Sequence, residues 1–179
     1  RFGSPIPRMT IIINHATVIT IDPDRRVLTD CSIVIANDKI TALAPSHELE
    51  NLYRDATTVI DAAGKVVLPG FVSAHNHVGY AVFRGRAEDV GYAPTHRLYL
   101  PMSGVITNSE REVIGALAVT ELLRGGVTTI LEMEEDAELF APFIESSGIR
   151  AFIGVMVNDV NLDALASGQT VFDDTVRTQ

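Results

Sequence analysis

The chain has 179 residues, of which 46% are hydrophobic and 21% charged, and a formal net charge of −9. That composition suits one globular domain or two small ones, and an acidic balance without a basic cluster argues against nucleic-acid and membrane partners. The single cysteine, Cys31, excludes a disulfide framework and a cysteine-rich zinc site and suits a reducing, cytoplasmic setting, and neither a membrane span nor a signal peptide is expected.

Residues 1–8 (RFGSPIPR) read as an added leader, with Met9 the expected natural start. Residues 10–21 (TIIINHATVITI) are rich in β-branched side chains and end at Asp22-Pro23-Asp24, which predicts a strand and a turn. Residues 31–36 (CSIVIA) predict a second strand, and Asn37-Asp38 a tight turn into a hairpin partner over 39–43. Residues 57–61 and 65–68 flank a further turn at Ala62-Ala63-Gly64. Residues 9–68 are thus expected to form a β-sandwich-like module.

The texture changes after Pro69-Gly70. Residues 71–74 form a short apolar strand that runs into His75-Asn76-His77, and a Gly- and Arg-containing loop region follows over 79–104. Thr107 with Glu110 three residues on predicts a capping box. The helix it opens is apolar over a wide arc, which predicts deep burial, and Gly125-Gly126 stops it. Residues 127–131 (VTTIL) read as a strand. Residues 137–147 read as helical in their second part, with Pro142 in a first-turn position, and 150–157 (RAFIGVMV) as another strand. Alternating buried strands and helices predict an α/β unit with a parallel sheet.

His75 and His77 carry the chemistry. Residues two apart on a strand share a face, so two imidazoles can aim at one point at the end of a parallel strand, where barrel active sites lie. Two neighbouring histidines are ordinarily loop or surface residues, and it is the position after an apolar strand that favours metal ligation. Imidazoles suit zinc, with iron, nickel and copper as alternatives.

Residues 66–78 (VVLPGFVSAHNHV) resemble the first barrel strand of the amidohydrolase superfamily, and Phe83-Arg84-Gly85, Glu88-Asp89 and 122–129 (LLRGGVTT) are similar to its ATZ/TRZ-like branch of chlorohydrolases and aminohydrolases. The resemblance implies a (β/α)8 TIM-type barrel beside a composite β-sandwich. It implies that His75 and His77 are metal ligands from strand 1, with zinc the expected metal and iron the alternative. The family draws further His ligands from strands 5 and 6 and an Asp from strand 8, and a metal-activated water attacks an electrophilic carbon. The implied reaction is cleavage of a C–N or related bond in a cyclic amide, amidine or nitrogen heterocycle.

A barrel takes about 250 residues, far more than follow Leu68, and His15, His47 and His96 do not fit the later ligand positions. Residues 69–179 are therefore expected to hold the first three β/α units, with no catalytic acid or base of their own. The partners expected are a small-molecule substrate, the remainder of the same chain and a second copy in a homo-oligomer. The other reading is a non-catalytic fragment or assembly module with an incomplete metal site. Tyr80, His96, Ser103 and Glu132 are the candidate substrate-binding residues, Glu132 because strand 2 should also end at the active face. Adenosine-processing members resemble Leu-Pro-Ile-Glu where this chain has Leu100-Pro101-Met102-Ser103, which weakens a purine reading, because a hydroxyl cannot act as a carboxylate. Arg84 and Arg86 are expected to hold an anionic group or to pair with Glu88 and Asp89.

Overall fold

The computed structural model describes residues 9–91, 94–134 and 136–155. Contacts divide the chain into two compact units, Arg1–Pro69 and Gly70–Gln179.

In the first unit, β1 (Thr10–Ile19), β2 (Val27–Ala36) and β3 (Lys39–Pro45) form an antiparallel meander. Asn37 takes a φ of 57° in the turn between β2 and β3, the left-handed conformation a tight hairpin favours. A one-turn helix α1 (Ser46–Leu49) follows. The strands β4 (Thr58–Asp61) and β5 (Val66–Val67) do not pair with each other across the turn at Ala62-Ala63-Gly64. Both add in parallel to β1, giving a mixed five-stranded sheet of order β3-β2-β1-β4 with β5 also on β1. Apolar clusters cover both faces. Ile12, Val34 and Leu49 form one and Ala16, Val18, Cys31, Ile33 and Ala62 the other. Cys31 is a small buried side chain whose thiol is pushed up in pKa by burial.

The register of β1 slips on either side of Ala16, and His15 has a φ of 61° beside this bulge. The bulge turns the imidazole so that Nδ1 lies 2.9 Å from Asp30 Oδ1 and Nε2 3.4 Å from Glu50 Oε2. The Asp30 hydrogen bond raises the His15 pKa, and the His15 hydrogen bond lowers that of Asp30. A raised His pKa stabilises the fold fully below the ordinary value of about 6.5, and that gain is lost as pH rises through the folded value. The lowered Asp30 pKa works from the other side, its gain being lost as pH falls through the folded value. The stability difference between the native protein and His15→Gln is expected to peak near pH 5 to 6, to shrink above about pH 7 and to weaken in salt. Denaturation midpoints across pH check this. A difference constant from pH 5 to 9 would contradict it.

In the second unit, β6 (Phe71–Asn76), β7 (Val127–Glu134) and β8 (Arg150–Val155) form a parallel sheet in the order β6-β7-β8. The segment after β6 is largely helical rather than an open loop. It contains 3-10 turns at Val78–Phe83 and Glu88–Val90, a π-helical turn at Thr95–Tyr99 and the short α2 (Leu100–Ser103). Helix α3 (Asn108–Arg124) connects β6 to β7, and α4 (Ala137–Ser147) connects β7 to β8. The Thr107–Glu110 capping box forms in both directions.

Two further expectations change. Helix α3 is not buried all round. Gly115, Ala118 and Val119 face inward, whereas Val113 is 70% and Leu117 52% exposed, because no other described residue covers that stripe. Helix α4 runs the full length of 137–147 with Pro142 in its interior. Pro142 removes one backbone donor, but it sits on the exposed face, where water can satisfy the freed carbonyl. Burial of Ala137, Phe140 and Ile144 on the other face holds both halves in one helix. The third helix expected after β8 and the strand residues beyond 155 lie outside the described residues.

Candidate metal centre

Strand β6 delivers the His-Asn-His run to its C-terminal end. It stops at Asn76, and His77 continues in extended backbone (φ −139°, ψ 93°) as the residue before the 3-10 turn. Alternation therefore persists through residue 77 and splits the three side chains between two faces. The rings of His75 and His77 meet edge to face with centroids 4.9 Å apart. Asn76 points the other way, and its amide donates to Glu132 Oε2 at 2.5 Å.

His77 has a defined tautomer. Its Nδ1 lies 2.5 Å from the Met133 carbonyl oxygen, which can only accept, so Nδ1 carries the proton. The Nε2 lone pair is left to bind a cation, the arrangement that orients imidazole ligands in metal sites. The donor chemistry of His75 and His77 thus fits part of a zinc site.

Glu132 and Glu134 lie on the face of β7 that Ile130 shares, and Ile130 is packed into the core with Val119, Phe140 and Ile144. The alternation that sends Ile130 inward sends Glu132 inward too. Glu132 is 0% exposed, with Oε2 accepting from Asn76 and Oε1 from the Val78 N–H at 2.7 Å. It braces the site from behind and presents no open face to a substrate, contrary to the sequence expectation. Glu134 is 4% exposed and accepts from the Gly79 N–H at 2.9 Å. Burial pushes both carboxyl groups above the usual carboxylate range, and the hydrogen bonds from Asn76 and Val78 at Glu132 and from Gly79 at Glu134 oppose it. Atoms of His77, Glu132 and Glu134 lie within 4.8 Å of one another, so this trio could also hold a cation. The backbone donors already on both carboxylates favour the imidazole pair as the open side of the centre.

An aromatic ledge adjoins the histidines. The Tyr80 ring stacks on His77 with centroids 5.1 Å apart and 23° between planes. Tyr99 lies 4.8 Å from Tyr80, and Phe83 packs against both. A hollow of about 430 Å³ opens beside His77, with Asn76, Tyr80, Arg84 and Glu121 among its lining. Arg84 pairs with Glu121 at 2.9 Å rather than with Glu88 or Asp89. The side chains of His96 and Ser103 lie outside the described residues, as does Glu135.

The amidohydrolase family profile matches residues 66–178. The chain belongs to the amidohydrolase family. Among this family member's relatives is the 5'-deoxyadenosine deaminase of Methanosarcina acetivorans, 35% identical over 79% of this chain and 32% of its own length. Another is the 5-methylthioadenosine/S-adenosylhomocysteine deaminase of Syntrophobacter fumaroxidans, 31% identical over 85% of this chain and 35% of its own. The chain spans about a third of the length of these relatives. A zinc-bound adenosine deaminase from Xanthomonas campestris superposes with a TM-score of 0.77 at 24% identity, covering 97% of this chain and 39% of the other. Atrazine chlorohydrolase from Arthrobacter aurescens, solved with zinc, gives 0.74 at 23%, covering 86% and 37%. At such identities the likeness speaks for the fold, part of an α/β barrel of this family.

Sequence reasoning missed Asn76 and misplaced Glu132. Register supplies the signal for both, because Asn76 pairs with Glu132. Strand alternation alone left the inward face of β7 undecided, since Val127, Thr129, Leu131 and Met133 are no less apolar than Thr128, Ile130, Glu132 and Glu134.

Proposed function

We propose that the protein carrying this chain is a metal-dependent hydrolase that cleaves a C–N bond on a nitrogen heterocycle. In the favoured case water replaces a ring amino group, giving the oxo product and ammonia. The observation that carries this reading is the His75–His77 imidazole pair at the end of a parallel strand, with His77 fixed as the Nδ1–H tautomer. His75 and His77 would hold the ion, zinc in first place and iron in second. A divalent ion there supplies Lewis acidity and lowers the pKa of the attacking water.

The chain's own residues would then orient and shield. The rings of Tyr80, Tyr99 and Phe83 form an aromatic wall beside His77, against whose edge a planar heterocycle can pack. That supports Tyr80 as a substrate-binding residue. Relatives named as deaminases of adenosine-type nucleosides favour an aminopurine over a chlorotriazine. The glutamate that adenosine-processing members resemble at the Ser103 position would then have to be supplied elsewhere or dispensed with.

The test is ammonia release, with chloride release followed alongside it, by the full-length protein from a panel containing 5'-deoxyadenosine, a simple aminopyrimidine and a chlorotriazine. Release is expected from one amino-heterocycle, lost with a chelator and regained with zinc. Zinc-replete protein that releases ammonia from no member of the panel, or chloride alone from the chlorotriazine, would overturn the reading.

A further inference from the structure

We propose that Glu132 and Glu134 are positioning residues that lock the turn 76–79 onto β7 and so hold the His77 imidazole in its ligating orientation. The inference rests on the reading of His77 as a metal ligand and adds what keeps it in place. Three successive residues of β7 grip four successive residues of the turn. Glu132 takes the Asn76 amide at 2.5 Å and the Val78 N–H at 2.7 Å, the Met133 carbonyl takes His77 Nδ1–H at 2.5 Å, and Glu134 takes the Gly79 N–H at 2.9 Å. Strand alternation produces this pattern. Side chains 132 and 134 reach forward on one face, and the backbone oxygen between them meets the imidazole.

The turn needs such acceptors. Val78 and Gly79 open a 3-10 turn whose first N–H groups lack partners within it, and the preceding residue, His77, gives no side-chain cap. Both positions are buried, so unpaired N–H groups would be costly there. A carboxylate meets them with short, charge-assisted hydrogen bonds. Gly79 completes the fit, because a Cβ there would lie 3.0 Å from Glu134 Oε1 and 3.2 Å from Phe140 Cζ. An ordinary core position beneath α3 and α4 would carry leucine or valine. Two glutamates there, each turned to the same four-residue turn, are explained by the turn.

The two carboxylates differ in a way that can be measured. Glu132 uses both oxygens as acceptors, so Glu132→Gln must either set its NH2 against the Val78 N–H or force the Asn76 amide to flip so that Oδ1 accepts. Glu134 accepts from Gly79 with Oε1 and also hydrogen-bonds the Glu132 carboxyl group, and Glu134→Gln can keep both, its NH2 donating to Glu132. In the full-length protein we expect Glu134→Gln to hold zinc near the native affinity and Glu132→Gln to hold it about tenfold more weakly, within the range that partners of metal-bound His show. Leucine at either position should weaken zinc by about ten- to a hundredfold. Chelator competition reads the affinity, and ¹⁵N NMR of the imidazoles reads whether His77 keeps its Nδ1–H tautomer, which a purely structural role would not move. If the leucine variants do not fold, the glutamine pair decides the matter alone. Native zinc affinity and an unchanged His77 tautomer in Glu132→Gln would overturn the proposal. His77→Ala with undiminished zinc would instead remove the ligand reading on which it rests.

Discussion

Replacing His75 and His77 together with alanine is expected to bring bound zinc in the full-length protein down to background. Turnover should fall by at least about a hundred- to a thousandfold, the order lost when one preorganised charge-stabilising group is removed. The fold should survive. His75 is exposed and His77 half-buried, both stand at the end of β6, and neither belongs to the apolar cluster of the second unit. Substitutions outside core packing usually change stability by about 0.5 kcal/mol or less, although the His77 hydrogen bond to Met133 adds about 1 kcal/mol to that loss. The double variant separates a ligand role from a structural one by losing metal and activity while it melts close to the temperature of the native protein stripped of its metal. Metal analysis and thermal melting on the same sample supply the check. Native metal content with full turnover would remove the imidazole pair from the centre.

Why this pair was legible in the sequence while its supports were not follows from range. A strand end, a two-residue spacing and the apolar run before it are all local, and 71–77 contains them. The capping box at Thr107 and Glu110 and the hairpin turn at Asn37 are local in the same sense. The supports of His77 lie more than fifty residues away, at 56 for Met133 and 54 from Val78 to Glu132, and depend on which β7 residue stands beside Asn76. A one-residue slip would exchange Glu132 for Leu131 or Met133 and reverse every side chain of β7. Periodicity on β7 could not fix that choice, because both faces carry apolar residues. The parallel addition of β4 and β5 to β1 was hidden for a similar reason, since a short turn between two strands ordinarily reads as a hairpin. In the family resemblance the proposed ligand positions were the visible part, and the buried carboxylates that accept hydrogen bonds from the turn carried no motif at all.

Phe140→Ala is expected to cost about 3 to 5 kcal/mol of stability, the usual loss for a fully buried aromatic side chain. Phe140 is 0% exposed and lies in the first half of α4, the half that local signals around Pro142 left in question. Its contacts show why that half is helical. The ring meets Phe143 edge to face at 5.8 Å, carries the Arg111 guanidinium at 5.4 Å and lies where Gly115 brings α3 close. A Cβ on Gly115 would come 2.8 Å from the Phe140 ring and 2.5 Å from Phe143, so the two helices meet only because that position is glycine. Arg111 also pairs with Asp136, at the N-cap of α4. Removing the ring leaves a cavity bounded by three elements that cannot all close on it: α3, α4 and the turn carrying Gly79. Against a typical domain stability of about 5 to 15 kcal/mol, the loss is a large share of the total. Phe140→Leu keeps most of the volume and should cost under about 2 kcal/mol. Urea denaturation of both variants gives the comparison, and an alanine variant less than about 1 kcal/mol below the native protein would show that α4 is not anchored through this ring. Because Phe140 Cζ also backs Gly79, the alanine variant should weaken zinc binding while still folded, by loosening the turn that carries His77. The stability of the helix layer and the order of the metal centre then fail together, through one side chain that touches no ligand.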